Sequence, residues 1–306
     1  MLSLFSPAER MELSLYRNQL IHLFVQEGIL LCSFYACEKK KQGDDSDEAL
    51  VNKEELKKAS LYLSSLLKLE FIFKPSPGFE VTVDEVVSFL VQHGILLEHK
   101  VENETDSAKA VQYSVNDKIG SDGEYQGTFT YLFVCSLFWP FIDSYYLVAL
   151  ACYRLLPDRM LEEESMIRFV QVSDCSTRNE SEHVLFQLLG ESLYFEGLLD
   201  LYEAISSVTL TNALTLLENW GIVQFVYIES DSSSGQGKAG KHIVQLTTQF
   251  RNEGALEEVV MKIGEFRKRL AAYRSRRYKS RVKNQHQDAI NVVKRIDVAS
   301  AGKMIK

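Results

Sequence analysis

Histidine is the side chain in this sequence best suited to acid–base or metal chemistry, because the imidazole titrates near neutral pH and binds transition metals. The chain has six histidines: His22, His93, His99, His183, His242 and His286. None has a second histidine or a cysteine at the spacing that would place two ligands on one helix face or hairpin. The sequence therefore predicts no metal site.

A histidine paired with a carboxylate is the usual general base. Three histidines are followed by glutamate five residues later: His22 by Glu27, His93 by Glu98 and His99 by Glu104. Five residues along one helix turn about 500°, which leaves two such side chains about 140° apart. Gly94 also separates His93 from Glu98. We expect no catalytic dyad, and assign His22 to a helix surface or core and His93 and His99 to exposed polar positions.

No complete motif for phosphate binding or for an activated nucleophile occurs. There is no GxxxxGK[ST] loop and no GxSxG elbow. Gly235-Gln236-Gly237-Lys238-Ala239-Gly240 has the GxGxxG spacing, but the predicted strand His242–Leu246 follows it rather than a helix, which is typical of a flexible loop tip. The cysteines are odd in number, without a CxxC pair, and mostly in apolar runs: Cys32, Cys37, Cys135, Cys152 and Cys175. We interpret them as reduced core residues and expect no cofactor.

The charge is distributed unevenly. The net charge is −8, but residues 261–306 have 14 Lys and Arg against 3 Asp and Glu, so they carry +11 and the first 260 residues carry −19. An acidic body excludes a protein that binds nucleic acid over its whole surface.

The basic residues concentrate in one segment: Arg267, Lys268, Arg269, Arg274, Arg276, Arg277, Lys279 and Arg281. Our first interpretation is attraction to an anionic membrane surface, worth about 1 kcal/mol for each basic residue near the lipid. Tyr273 and Tyr278 alternate with arginine, which leaves nucleic acid as an alternative, although we do not expect it as a partner. A solvated tail is the third possibility.

Helical spacing of apolar residues dominates the chain. Helices are predicted within Met11–Cys37, Glu54–Leu69, Val83–His93, Ser181–Ser206 and Leu210–Trp220, and strands at Phe71–Phe73, Ile95–Leu97, Val111–Val115, Ile222–Ile228 and His242–Leu246. The charged stretch Lys39–Asn52 is predicted as a loop. The fold class is therefore mainly α.

The most apolar stretch is Phe129–Tyr153, which is long enough to span a membrane. Pro140, Asp143 and Ser144 fall near its middle, and no basic flank directly precedes it. Polar and helix-breaking residues at mid-depth are costly in lipid. We therefore predict a buried helix pair.

A weak internal repeat links two parts of the chain. Val83–Leu97 and Leu210–Val223 each run from a helix through glycine and isoleucine into a strand. A helix followed by a β-hairpin is typical of a winged helix, and the alternative is two ordinary glycine caps before strands. We predict a helical protein with two small winged-helix-like β-hairpins. The expected domains are 1–115, 127–260 and a basic tail at 261–306.

One segment near the N-terminus resembles a known motif. Leu15–Ile29 is similar to a Tyr-x-Asn-x3-His-x-Phe core followed by an apolar helix, matched by Tyr16, Asn18, His22 and Phe24. The core follows the catalytic domain of glycerol-3-phosphate acyltransferases of the mitochondrial and bacterial type.

Further segments resemble the same family in the same order. They are Glu54–Phe73, a helix leading into a strand; Phe89–Leu97, with His93 in place of an aromatic residue; Leu137–Tyr146, with Pro140 and Asp143-Ser144-Tyr145; and Leu214–Phe225. The resemblance covers roughly Met11–Leu246 and identifies the C-terminal region of the family. No counterpart of the Arg-rich segment is found there.

The resemblance implies a part in phospholipid and triacylglycerol synthesis, where acyl-CoA and glycerol 3-phosphate give lysophosphatidic acid. The family's catalytic His-x4-Asp block lies upstream of the motif at Tyr16 and is missing from this chain. The resemblance therefore implies an accessory region that works with a catalytic domain, upstream in a full-length chain or in trans. It also implies membrane association on the cytosolic side, at the mitochondrial outer membrane.

Asn18 and His22 lie one helical turn apart, so they share a helix face, with Tyr16 and Phe24 beside them. Such a face can hydrogen-bond and pack against a neighbouring domain. The alternative is that all four residues serve the core of this domain.

Overall fold

The computed structural model describes residues 18–41, 50–72, 78–101, 110–116, 126–170, 189–229, 240–268 and 285–304. The chain divides into two compact units. The first comprises Met1–Pro140 with Glu265–Arg267, and the second comprises Phe141–Gly264 with Lys268–Lys306.

The described part of the first unit begins with helical residues 18–24, which include a 3-10 turn at His22–Phe24. Its elements are α1 (Val25–Lys41), β1 (Val51–Asn52), α2 (Lys53–Leu66), α3 (Phe79–Gln92), β2 (Leu96–Val101), β3 (Ala110–Val115) and the first part of α4 (Gln126–Ala151). The Asn52 side chain caps α2 by accepting a hydrogen bond from the amide of Glu54 at 3.1 Å. The strands form an antiparallel sheet in the order β1-β3-β2.

Close packing of α1 on α4 builds the core of this unit. A Cβ at Gly28 would overlap the ring of Phe138, so the glycine allows the two helices to approach. Phe34 is fully buried and meets Tyr131 edge-on at 5.9 Å between ring centroids. The Tyr131 hydroxyl donates to the Glu38 carboxylate at 3.1 Å.

The second unit contains the rest of α4 and a 3-10 turn at Cys152–Leu155. Its further elements are β4 (Met160–Glu162), α5 (Glu163–Val170), α6 (Leu189–Phe195), α7 (Ser207–Asn219), β5 (Val223–Glu229), β6 (Gly240–Leu246), α8 (Glu253–Gly264) and α9 (Gln285–Met304). Short 3-10 turns lie at Tyr202–Ile205 and Thr248–Phe250. The antiparallel sheet has the order β4-β6-β5.

The two units repeat one architecture. Each has a first helix, a short strand, further helices and then a β-hairpin that pairs with the short strand. The helix before each hairpin ends at a glycine with positive φ, 68° at Gly94 and 69° at Gly221. The prediction of a mainly helical protein with two winged-helix-like hairpins is confirmed. The added strands β1 and β4 were not predicted.

Three predicted elements outside α4 were wrong. Phe71 and Ile72 are not in a strand, and Phe73 lies outside the described residues. Ser181–Ser206 is not one long helix. The helix α6 ends before Gly197, whose φ is 70°, and the next α-helix begins at Ser207. Residues 181–188 lie outside the described part of the chain. The predicted loop Lys39–Asn52 is too long at both ends, because α1 extends to Lys41 and β1 begins at Val51.

The predicted helix pair in Phe129–Tyr153 is one helix, α4, which continues through Pro140. Proline removes one helical hydrogen bond and crowds the preceding turn. Burial of the apolar residues on both sides of Pro140 offsets this cost, since Phe138, Trp139 and Ile142 are all less than 5% exposed.

Within the described residues, two helices are long and apolar enough to cross a membrane. They are Asn18–Glu38 and Gly127–Leu155, and 61% and 83% of their apolar windows are buried inside the protein. Core helices of soluble proteins have the same length and composition, so this observation is weak evidence for a membrane span.

Candidate functional site

A groove with a volume of about 620 Å³ lies within the first unit. The residues before and within α1, the end of α3, the start of β2 and the start of α4 form its walls. They are Leu23, Phe24, Glu27, Leu31, Phe89, Leu90, His93, Gly94, Ile95, Asn116, Gly127, Thr130 and Val134.

The floor of the groove is apolar and buried, whereas its rim is apolar and exposed. Leu31 and Leu90 are fully buried. Leu23 is 72% exposed, Phe24 41% and Phe89 43%. An exposed apolar rim above a buried floor is typical of a binding surface.

Hydrogen bonds fix one end of the groove. The Asn116 side-chain amide donates to the carbonyl of Gly94 at 2.7 Å, and the Asn116 backbone amide donates to Ile95 at 3.0 Å. Gly127 packs so closely on this turn that a Cβ there would overlap the carbonyl oxygen of Asn116. The start of α4 is thereby held against the turn that ends α3.

His93 is the ionisable base in the lining. Its Nδ1 donates a hydrogen bond to the carbonyl of Phe89 at 2.8 Å, and its ring lies 4.0 Å from the Phe89 ring. Because a carbonyl can only accept, Nδ1 carries the proton, and Nε2 of the neutral ring is a hydrogen-bond acceptor. Glu27 supplies the acidic group of the lining, and none of the lining residues that the structure describes is a lysine or an arginine.

The histidine and glutamate residues spaced five apart in the sequence do not pair in the part of the chain that the structure describes. His22 is exposed and packs edge-on against Phe71 at 5.6 Å between ring centroids. His99 Nε2 shares a hydrogen bond of 2.9 Å with the Ser114 hydroxyl. Glu98 forms an ion pair with Lys100 at 3.5 Å, and Glu104 lies outside the described residues.

Four cysteines of the described part of the chain are buried: Cys32, Cys37, Cys135 and Cys152. Burial raises the pKa of Cys152 to about 12 and holds the pKa of Cys135 well above its usual range. A thiol that remains protonated at neutral pH is a poor nucleophile. Within the described residues, no cluster of His, Cys, Asp or Glu side chains could hold a metal ion.

The basic segment is only partly described. Lys268 forms an ion pair with Asp200 at 3.5 Å, whereas Arg269, Arg274, Arg276 and Arg277 lie outside the described residues. After the segment, α9 packs within the second unit. Four of its residues are buried: Ala289, Ile290, Val292 and Val293.

Sequence reasoning identified only part of the groove. Phe24 and Glu27 fall in Leu15–Ile29 and His93 falls in Phe89–Leu97, two segments that resemble the family. Asn116 and Thr130 join them only through the packing of α1, α3 and α4. No local spacing in the sequence indicates that convergence.

Comparisons with known proteins agree with the resemblance. The family described as glycerol-3-phosphate acyltransferase C-terminal region matches residues 2–226. The mitochondrial glycerol-3-phosphate acyltransferase 1 of Bos taurus is 32% identical over 109 residues, which cover 35% of this chain and 13% of that protein. The Rattus norvegicus protein of the same name is 31% identical over 99 residues, 31% of this chain and 12% of that protein.

These alignments span only about an eighth of the relatives' own length. The family match, by contrast, covers most of this chain and ends within β5 of the second unit. The chain therefore belongs to the family of glycerol-3-phosphate acyltransferase C-terminal regions.

Proposed function

We propose that this chain is the accessory C-terminal region of a glycerol-3-phosphate 1-O-acyltransferase, which makes lysophosphatidic acid from acyl-CoA and glycerol 3-phosphate. The acyl-transfer chemistry comes from a catalytic domain, either upstream in a full-length chain or in trans. The match to the C-terminal region of the family is the observation that carries this proposal.

The chemistry of the described residues supports an accessory role. Acyl transfer to a hydroxyl requires an oriented base that removes the proton. The rings of His93 and His99 are engaged by Phe89 and Ser114, and neither contact supplies a carboxylate that would orient the ring as a base.

An assay of the purified chain with radiolabelled glycerol 3-phosphate and palmitoyl-CoA tests the first half of the proposal. We expect no product above background. Turnover that disappears in His22→Ala would overturn it.

A chimera tests the second half. Replacing the matching C-terminal region of the Bos taurus relative with this chain should preserve acyltransferase activity, because the accessory role depends on the shared fold. An inactive chimera that still folds and reaches the membrane would contradict the proposal.

The site of action that we propose is the cytosolic face of the mitochondrial outer membrane. The relatives carry the word mitochondrial in their names. The cluster at Arg267, Lys268, Arg269, Arg274, Arg276 and Arg277 would supply electrostatic attraction to anionic lipid. Exposed charges more than about 8 Å apart are screened at physiological salt, so binding should be sensitive to ionic strength.

Vesicles containing phosphatidylserine test this contact. Binding should fall steeply between low and physiological ionic strength, and fall further when Arg274, Arg276 and Arg277 become Ala. Equal binding to neutral and anionic vesicles would refute the idea.

The winged-helix-like topology does not favour nucleic acid as a partner. A winged helix that reads DNA presents a basic helix to the groove and phosphates. Here α3 carries Glu80, Asp84 and Glu85 and has no lysine or arginine, and α7 also has neither. Phosphate would be repelled from α3 rather than attracted.

A further inference from the structure

We infer that the groove in the first unit binds a single-chain amphiphile whose head group is uncharged and carries hydroxyls, such as a monoacylglycerol or a long-chain alcohol. The groove would bind such a ligand whether or not the chain acts as an accessory region of an acyltransferase.

The size and lining of the groove suit an apolar chain. Its volume of about 620 Å³ lies within the range of roughly 300–1,000 Å³ that is common for small-molecule sites. Leu31, Leu90 and Val134 form a buried floor on which a hydrocarbon chain would exclude water. The exposed rings of Phe24 and Phe89 would cover the chain from the rim.

The polar groups in the lining suit a hydroxyl. Nδ1 of His93 is committed to the carbonyl of Phe89, so Nε2 is left to accept a hydrogen bond from the ligand. The half-buried Thr130 is a second hydroxyl partner in the same lining. A glycerol or alcohol head group can donate to the first and exchange hydrogen bonds with the second.

The charge of the lining decides against an anionic head group. Glu27 lies in the wall, and no lysine or arginine is among the described residues that line the groove. A carboxylate or phosphate would be placed near Glu27 without a cation to compensate it. The groove should therefore bind fatty acids and lysophosphatidate more weakly than an uncharged amphiphile. A trimethylammonium head group has no hydroxyl, so it could not donate a hydrogen bond to His93 Nε2.

Three ligands with the same ten-carbon chain separate these cases: 1-monodecanoylglycerol, decanoate and decyltrimethylammonium. Titration of the full chain below the aggregation concentration of each, by isothermal calorimetry at pH 7.5, should give saturable one-to-one binding of monodecanoylglycerol. Decanoate should bind at least tenfold more weakly. Glu27→Gln should reduce that preference to less than threefold, because it removes the repelling charge.

Variants at the rim locate the site. Phe24→Ser should weaken binding of monodecanoylglycerol by fivefold or more. Phe195→Ser is the matched control, since Phe195 is 78% exposed on the second unit and does not line the groove. It should leave binding unchanged. If Phe24→Ser impairs folding, the effect of Glu27→Gln on head-group preference still tests the site, because Glu27 is only partly buried.

Several outcomes would overturn the inference. They are the absence of saturable binding, equal affinity for decanoate and monodecanoylglycerol, tighter binding of decyltrimethylammonium, and an equal loss in the Phe195→Ser control. A partner protein that binds this face while no amphiphile does would likewise replace it.

Discussion

Asn116 and Thr247 make the same pair of hydrogen bonds in the two units. The Asn116 side chain donates to the carbonyl of Gly94, and the Thr247 hydroxyl donates to that of Gly221, both at 2.7 Å. Each residue also donates its backbone amide to the carbonyl of the residue that follows the glycine, at 3.0 and 3.1 Å. The end of each hairpin is thus tied to the turn that ends the preceding helix.

Replacing these two side chains should have similar effects. Asn116→Ala and Thr247→Val each remove a hydrogen bond to a glycine carbonyl, which should lower the free energy of unfolding by about 1–2 kcal/mol. Urea titration followed by circular dichroism measures this change. Thr215→Val is the control, because the Thr215 hydroxyl bonds only within its own exposed helix turn. If Thr215→Val lowers the free energy of unfolding as much, the hydrogen bonds to Gly94 and Gly221 have no special role in stability.

Glycine should be required at Gly127 and dispensable at Gly254, although each is the second residue of its helix. A Cβ at Gly127 would overlap the Asn116 carbonyl, whereas at Gly254 it would meet only the Asn252 side chain at 3.5 Å. Gly127→Ala should therefore lower stability by about 1–3 kcal/mol through overpacking. Gly254→Ala should be neutral or slightly stabilising. Thermal unfolding of the two variants checks this contrast, and equal melting temperatures would contradict it.

The sequence predicted those parts of the fold whose signals are local. The Gly94-Ile95 and Gly221-Ile222 steps mark both helix ends, because a positive φ at glycine and the return of an apolar residue are set within a few residues. By contrast, β1 and β4 are only two and three residues long and exist through pairing with distant strands, as in Val51 opposite Tyr113.

The groove could not be predicted for a related reason. Glu27 and Asn116 are far apart in sequence, and Asn116 belongs to none of the segments that resemble the family. Their proximity arises from the packing of α1 and α4, which the close approach at Gly28 permits. Family resemblance directed attention to Phe24 and His93, but only the folded chain shows that they line one surface.

Buried thiols should make the protein less stable at alkaline pH. Burial raises the pKa of Cys152 from 9.0 to about 12 and also raises that of Cys135. Since the unfolded thiols ionise near pH 9 and the folded ones do not, stability is fully present below pH 9 and declines as the pH rises toward 12. Urea unfolding at pH 8, 9, 10 and 11 should show this decline. Cys152→Ala should make the free energy of unfolding fall less steeply with pH. If the dependence on pH is unchanged, groups other than Cys152 cause the loss of stability.

The contact between Gly264 and His286 should control the docking of α9. A Cβ at Gly264 would overlap the His286 ring, whose Nδ1 shares a hydrogen bond of 3.0 Å with the Tyr146 hydroxyl. Gly264→Ala should therefore displace the start of α9 and speed hydrogen exchange along it. Arg295→Ala removes an exposed ion pair with Glu196 and should have a smaller effect, because such pairs contribute only about 0–1 kcal/mol. Equal rates of amide hydrogen exchange along α9 in the wild type and in Gly264→Ala would contradict the prediction.

The apolar helix α4 should remain in the protein rather than cross a lipid bilayer. Its apolar window is 83% buried, and the polar side chains near its middle are also buried, with Asp143 3% exposed. The Ser144 hydroxyl donates to the carbonyl of Ala204 at 2.6 Å, a bond that a helix surrounded by lipid could not make. Of the large side chains on its first turns, Phe129 and Phe133 remain exposed, at 73% and 52%.

Alkaline carbonate extraction of membranes from expressing cells tests this expectation. Carbonate removes proteins held at the surface by charge and leaves spanning helices in the pellet, so the chain should be released even though its basic segment is drawn to anionic lipid. Phe129→Ser with Phe133→Ser should not change the fraction released, because two exposed rings do not make a span of about 20 apolar residues. Retention in the pellet, with one flank of α4 protected from protease, would establish a transmembrane helix instead.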